Sequence, residues 1–236
     1  MPLTDEVILM LAIAGLYLYD STLLLYCNEG ILVPKGKDDW AVRFGFDDAR
    51  ILGKDVFVPN IFLPHRPLFR LSWAFEGGAA EGTADWAARR NALGPLAPLV
   101  WGMALALFVC LPLGFFTTLA DRMLIAGILL LYVNIGAALL WRWLHRAMLG
   151  LTGKQFAALA FESLVCSPFA LNLVRNVSLK MPVTEDLAHA ARRLQKADGW
   201  NTTRATLVAR LDEAIEGEDD DTPRMLALRE HRRSLT

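Results

Sequence analysis

Cysteine is scarce in this sequence: Cys27, Cys110 and Cys166 are the only three among 236 residues. They are odd in number, far apart and at no metal-ligand spacing, which excludes a disulfide framework or a zinc module. Surplus charge is lacking too. With 24 Lys and Arg against 25 Asp and Glu the net charge is −1, so nothing draws the whole chain toward nucleic acid, and no such partner is expected. No Gly-rich phosphate loop, nucleophile elbow or paired-Cys motif occurs. His65 and His145 have no Cys, His or carboxylate at ligand spacing. No catalytic residue, metal or cofactor is therefore expected. The start, with Asp5 and Glu6, lacks the basic region and small-residue cleavage site of a signal peptide. It reads as an uncleaved anchor. No repeat of solenoid length is visible.

Long uncharged runs, by contrast, are present. Hydrophobic residues make up 54% of the chain, and they cluster. Residues 96–119 hold no charge in 24 positions, and residues 123–141 none in 19. At about 1.5 Å per residue each run matches a hydrocarbon core of roughly 30 Å. Asp121 and Arg122 alone separate them, so the two form an antiparallel hairpin. Residues 7–26, apolar except for Asp20, Ser21 and Thr22, read as a further crossing. Residues 156–174 carry Glu162 and are broken by Pro168, which favours helices lying at the interface or re-entering over a full crossing.

Basic residues orient these segments. Arg89 and Arg90 precede the hairpin, and Arg142, Arg146 and Lys154 follow it, whereas its link has only Arg122. Positive charge marks the cytoplasmic side, giving an N-terminus outside and a C-terminus inside, in a bacterial inner membrane, with lipid as the first partner. The expected class is an α-helical integral membrane protein with three transmembrane helices and a fourth re-entrant or interfacial one. It also carries a small cytoplasmic β-rich insert and a C-terminal helical region. The expected boundaries are 1–27 for the N-terminal transmembrane helix, 28–94 for the insert, 95–146 for the hairpin, 147–180 for the interfacial helices and 181–236 for the soluble helices.

Within the insert, residues 31–33, 40–44 and 55–58 are rich in β-branched and aromatic side chains, and Lys35-Gly36-Lys37-Asp38-Asp39 has the character of a hairpin turn. One small antiparallel sheet is expected, with Trp40, Val42, Phe44 and Phe46 alternating on a buried face. Residues 59–73 contain three prolines, which exclude a helix or a central strand. Their His65, Arg66, Arg70 and Trp73, with Trp141 and Trp143 after the hairpin, suit the membrane interface. Residues 77–83 read as a linker. Toward the C-terminus, Thr184 is expected to cap a helix that Gly199 ends. A second helix spans 203–215, an acidic linker spans 216–221, and Thr222-Pro223 opens a last helix.

Two features point toward function. Gly102, Ala106, Cys110, Gly114 and Thr118 recur every fourth residue, and Gly127 and Asn134 share a face of the next helix. Small residues let helix backbones approach in lipid, either within the hairpin or against a partner helix. Asp20 and Asn134, with Glu162 further on, are polar groups where polar groups are costly. The expected role is a membrane-anchored accessory or scaffold subunit, docking other membrane subunits or a second copy through these helix faces and its cytoplasmic modules. The competing expectation is a homo-oligomeric channel or proton-coupled transporter built on Asp20 and Asn134.

Overall fold

The structure, a computed structural model, describes residues 4–36, 38–76, 82–118, 120–218 and 222–235. Lys37 of the expected hairpin turn, most of the 77–83 linker, Leu119 and the end of the acidic linker lie outside them. The chain is mainly helical with a small strand-containing part, and it divides into two compact units. Unit 1 comprises residues 1–23, 58–67 and 88–182; unit 2 comprises 24–57, 68–87 and 183–236.

In unit 1, α1 (Asp5–Ser21) is shorter than the apolar run that encodes it. Ser21 and Thr22 hydroxyls donate back to the carbonyls of Tyr17 and Leu18, at 2.8 and 2.9 Å. Such local bonds compete with helix continuation, and Leu23–Leu25 goes into a strand instead. Next come α2 (Trp86–Leu93), α3 (Ala97–Leu105), a π-helical turn (Ala106–Cys110) and α4 (Leu111–Phe116). They run on as one helical stretch, Trp86–Phe116, of 31 residues. α5 (Ala120–Leu144) is the second long helix, and Asp121 and Arg122 sit in its first turn rather than in the link. Trp86–Phe116 and Asp121–Leu144 are the two helices, among the described residues, long and apolar enough to cross a membrane. The expected third crossing is not among them.

The run after the hairpin is divided at Cys166. α6 (Gly153–Val165) is followed by the single turn α7 (Ser167–Ala170) and by α8 (Leu173–Lys180). Thr152 and Gln155 close a reciprocal capping box at the start of α6, which fixes two N–H groups that helix formation leaves unpaired.

Unit 2 contains two three-stranded sheets rather than one. β1 (Leu23–Leu25), β5 (Lys54–Phe57) and β4 (Phe46–Ile51) form the first, in that order; β3 (Trp40–Arg43), β2 (Glu29–Pro34) and β6 (Phe69–Ser72) form the second. β6 falls in the proline-rich stretch where no central strand is expected. It sits at a sheet edge, where prolines nearby do no harm. α9 (Leu187–Leu194) and α10 (Ala197–Glu216) pack on the β2–β3 sheet, and α11 (Pro223–Leu235) packs on α10. The cap of α9 is Asp186, whose carboxylate accepts from the N–H groups of Ala188 and His189; Thr184 lies two residues too early. Gly199 is inside α10 and ends nothing.

The core of unit 2 is aromatic. Phe69 and Trp86 rings meet edge to face at 5.2 Å, and Trp40 lies 6.1 and 6.3 Å from them. Trp40 and Val42 point inward as their alternation implies, but Phe46 belongs to the other sheet and is exposed. Charge is also buried here. Asp55 takes the Arg210 guanidinium at 2.8 Å and Arg50 at 3.0 Å, while Arg210 also donates to the Cys27 carbonyl. Paired this fully, a buried carboxylate is tolerated; leaving one partner alone costs about 3–5 kcal/mol.

Candidate functional site

Unit 1 holds a polar network beside an apolar groove. The network begins where α1 ends. Asn172, fully buried between α7 and α8, donates its amide to Asp20 Oδ2 at 2.9 Å and to Ser21 Oγ at 3.0 Å. Its Oδ1 accepts from Arg175 Nη1 at 2.8 Å. Asn176, one turn further along α8, reaches Asp20 at 3.4 Å. Arg175 Nη2 then donates to the carbonyls of Asn60 and Leu63, at 2.6 and 3.2 Å, and the Tyr17 hydroxyl donates to the Ile61 carbonyl between them. Three neighbouring carbonyls of the proline-rich segment are thus tied down by two side chains. Segments without regular structure need such partners when buried.

Asp20 therefore finds its hydrogen bonds on Asn172 and Asn176, not on Asn134. Asn134 donates to the Leu130 carbonyl of its own helix at 2.7 Å. No hydrogen bond joins Asp20 to Asn134 among the described residues. Glu162, exposed on α6, lies within electrostatic range of both Asp20 and Arg142. It closes an ion pair with neither.

Arg142 is the deepest anomaly. Its exposure is 0%, and Nε, Nη1 and Nη2 all lack a hydrogen-bond partner among the described residues. The nearest compensation is the face of Phe156, whose centroid lies 5.7 Å from the guanidinium carbon. An arginine that flanks an apolar run reads in sequence as a cytoplasmic marker; nothing in the spacing reveals its burial. Asn172, Arg175 and Asn176 are not among the residues expected from the sequence; their i, i+3, i+4 spacing just after Pro168 is the signal that marks them.

The groove has a volume of about 560 Å³ and is walled by Tyr17, Leu18, Phe62, Trp101, Leu105 and Phe108, with others of similar character. The π-helical turn contributes Phe108; such turns often sit at functional sites. Tyr17 and Phe108 rings meet edge to face at 5.9 Å. At the Trp101 end, the His65 ring lies 5.4 Å from the indole. Burial holds the His65 imidazole below its ordinary value, with the cations of Arg66 and Arg175 adding to the effect. The Arg66 side chain makes no hydrogen bond or ion pair among the described residues.

The small-residue stripe is turned toward α5. A Cβ on Gly102 would fall 2.6 Å from Asn134 Oδ1, one on Gly114 2.7 Å from Leu124, and one on Gly127 3.0 Å from Cys110. Ala106 is buried in the same seam, while Thr118 is exposed beyond it. Of the aromatic and basic residues assigned to the interface, Trp143 is exposed and carries Arg146 over its ring at 4.1 Å, and Trp141 stacks on His145 at 4.3 Å. His65 lies against Trp101, one wall of the groove, and Arg66 follows it in sequence. Trp73 corrects the expectation: it is 1% exposed in the core of unit 2, edge-on to Phe75 and His231. Large aromatic rings gain most from full burial. Arg70 donates to the Leu24 carbonyl beside Glu29.

No group of His, Cys, Asp or Glu side chains able to hold a metal occurs among the described residues. No protein-family model, curated protein or solved structure matches this chain.

Proposed function

We propose that this protein is a membrane-integrated docking subunit, held in the bilayer by unit 1 and recruiting a protein partner through unit 2. The membrane half of the reading is supported by exposure. Only 28% and 22% of the apolar windows of Trp86–Phe116 and Asp121–Leu144 are buried; the core helix of a soluble protein hides most of its apolar face. α1 and α6 also turn apolar side chains outward, Leu11 and Phe161 among them. α1, at 17 residues, is at the lower limit of about 17–25 residues for a crossing, and it supplies the third. Its N-terminus is then outside and unit 2 cytoplasmic, in keeping with Arg89, Arg90, Arg146 and Lys154.

The docking half is carried by one observation, the turn between β4 and β5. Ile51 pairs with Lys54, so Leu52 and Gly53 form a two-residue hairpin loop. Their φ angles are +53° and +75°, as in the primed turns that favour Asn-Gly. A leucine there is strained by about 1–2 kcal/mol. It is also 92% exposed, and Ile51 and Phe46 beside it are exposed as well. A strained apolar tip in water has no structural use, and strain of this kind gathers at binding sites. With the small-residue stripe occupied inside the hairpin, this tip is the surface we assign to a partner.

Leu52→Asn tests the assignment. The substitution relieves the backbone and raises the stability of unit 2 by about 1 kcal/mol, yet it removes the partner from material purified from native membranes in mild detergent. A parent protein that purifies alone, folded and stable, would count decisively against docking; a partner retained by Leu52→Asn would move the interface elsewhere.

A further inference from the structure

We propose that the groove of unit 1 binds one long acyl chain whose anionic head, a carboxylate or a phosphodiester, is held by Arg66 and His65. The site is distinct from the hairpin tip, and the proposal goes beyond protein docking. Three observations carry it. The groove's volume of about 560 Å³ lies within the roughly 300–1,000 Å³ range of small-ligand sites. Its walls are almost wholly apolar, from Leu18 on α1 and Phe62 on the proline-rich segment to Trp101, Leu105 and Phe108. A headless apolar ligand would need no more, but a polar group, His65, lies against the Trp101 wall.

The charges that act on His65 share one sign. His65 lies on Trp101, its Nδ1 is buried without a hydrogen-bond partner, and Arg66 and Arg175 both act on it electrostatically. Arg175 is already committed to Asn60, Leu63, Asn172 and Ser21. Arg66 is uncommitted among the described residues. An unpaired guanidinium that acts on an unsatisfied imidazole, itself set against the Trp101 wall of an apolar groove, is complementary to an anion on an alkyl tail. The ties from Tyr17 and Arg175 to the Ile61 and Asn60 carbonyls hold the Phe62 wall of the groove in place.

The test uses the full-length protein in detergent micelles and reads Trp101 emission as the difference between the parent and Trp101→Phe. Dibromostearate, whose bromines quench only indoles close by, is titrated at a mole fraction low in detergent. Saturable quenching of Trp101 is expected. Ala104→Phe, which narrows one wall, and Leu18→Trp read against Leu18→Trp/Trp101→Phe, which narrows the other, should each weaken it about tenfold or more, the scale on which a methylene or two is discriminated in an apolar pocket. Arg66→Gln should weaken dibromostearate about tenfold, the scale of one charge-assisted bond, and leave dibromostearyl alcohol unchanged. Competition by dioleoylphosphatidylglycerol identifies a phospholipid head, and its failure with stearate still competing identifies a free carboxylate.

Quenching that never saturates, or that is equal in parent and Ala104→Phe, shows micelle partitioning alone and overturns the site. Equal loss of acid and alcohol on Arg66→Gln overturns the anionic head. Mass spectrometry of lipid retained by the unaltered protein gives a check independent of any variant: about one anionic chain per protomer is expected, and lipid in the proportions of the bulk membrane would sink the proposal.

Discussion

At the scale of single residues, energetics separates groups that are costly from groups that are merely unusual. Asp20 looks costly in the sequence, yet the amides of Asn172, just before α8, and Asn176, on it, both donate to it. Arg142 looks ordinary, yet it is sealed from solvent with no hydrogen bond to any of its nitrogens among the described residues. An uncompensated buried cation destabilises, and an apolar side chain of similar length does not. Arg142→Met is therefore expected to stabilise the protein by about 1–3 kcal/mol, while Arg142→Lys gives no gain. Equilibrium unfolding in mixed micelles measures both. A loss of stability in Arg142→Met would mean that an anion accompanies this residue in the membrane. The sequence could show that Arg142 ends an apolar run, but burial is a property of the neighbours α6 brings, and those come from further along the chain.

At the scale of elements, the hairpin was legible because it is written in long uncharged runs and a four-residue repeat, both local signals. The break at Pro168 was legible for the same reason. The strand β4 was not, because Phe46–Ile51 carries Asp47, Asp48 and Arg50 in place of an alternating apolar pattern, and its turn is Leu-Gly in place of Asn-Gly. The direction of the small-residue stripe was open too, since either packing inside the hairpin or docking outside it uses the same repeat. The close approach of Gly102 to Asn134 decides its use in the seam with α5, and it can be tested by contrast. Gly102→Ala should cost about 1–3 kcal/mol through overpacking, and Asn134→Ala in the same chain should recover most of that loss. Gly136, on the same helix as Asn134, has open space where a Cβ would stand, with nothing within 4 Å. Gly136→Ala should stabilise by about 0.5–1 kcal/mol from helix propensity alone. Thermal unfolding of the three variants in detergent separates the cases; equal effects at Gly102 and Gly136 would show that the stripe does not pack the seam.

At the scale of the whole molecule, chain topology constrains the membrane in a way that no single segment does. Unit 2 is one body, yet its last piece, 183–236, is separated from the other two, 24–57 and 68–87, by the whole of 88–182. On the proposed membrane reading all three pieces lie on one side of the bilayer. The chain would then cross an even number of times between 87 and 183, and the hairpin would account for two. α6, with 13 residues, falls short of the roughly 20 needed to span, so on the same reading it and α8 stay on the side where they began. α1 is under no such constraint, because nothing in unit 2 precedes it. The reading with α1 crossing puts Thr4 and Arg122 together outside and Lys54, Lys154 and Ser234 together inside. Single-cysteine variants at these five positions, with Cys27, Cys110 and Cys166 replaced, can be exposed to an impermeant maleimide on intact and permeabilised cells that express the protein. Thr4→Cys and Arg122→Cys are expected to react in intact cells, and the other three only after permeabilisation. Thr4→Cys reacting with the inner group would leave two crossings, with α1 lying along the surface. Lys54→Cys and Ser234→Cys reacting from opposite sides would break unit 2 itself, because a sheet and the helices packed on it cannot be divided by a bilayer.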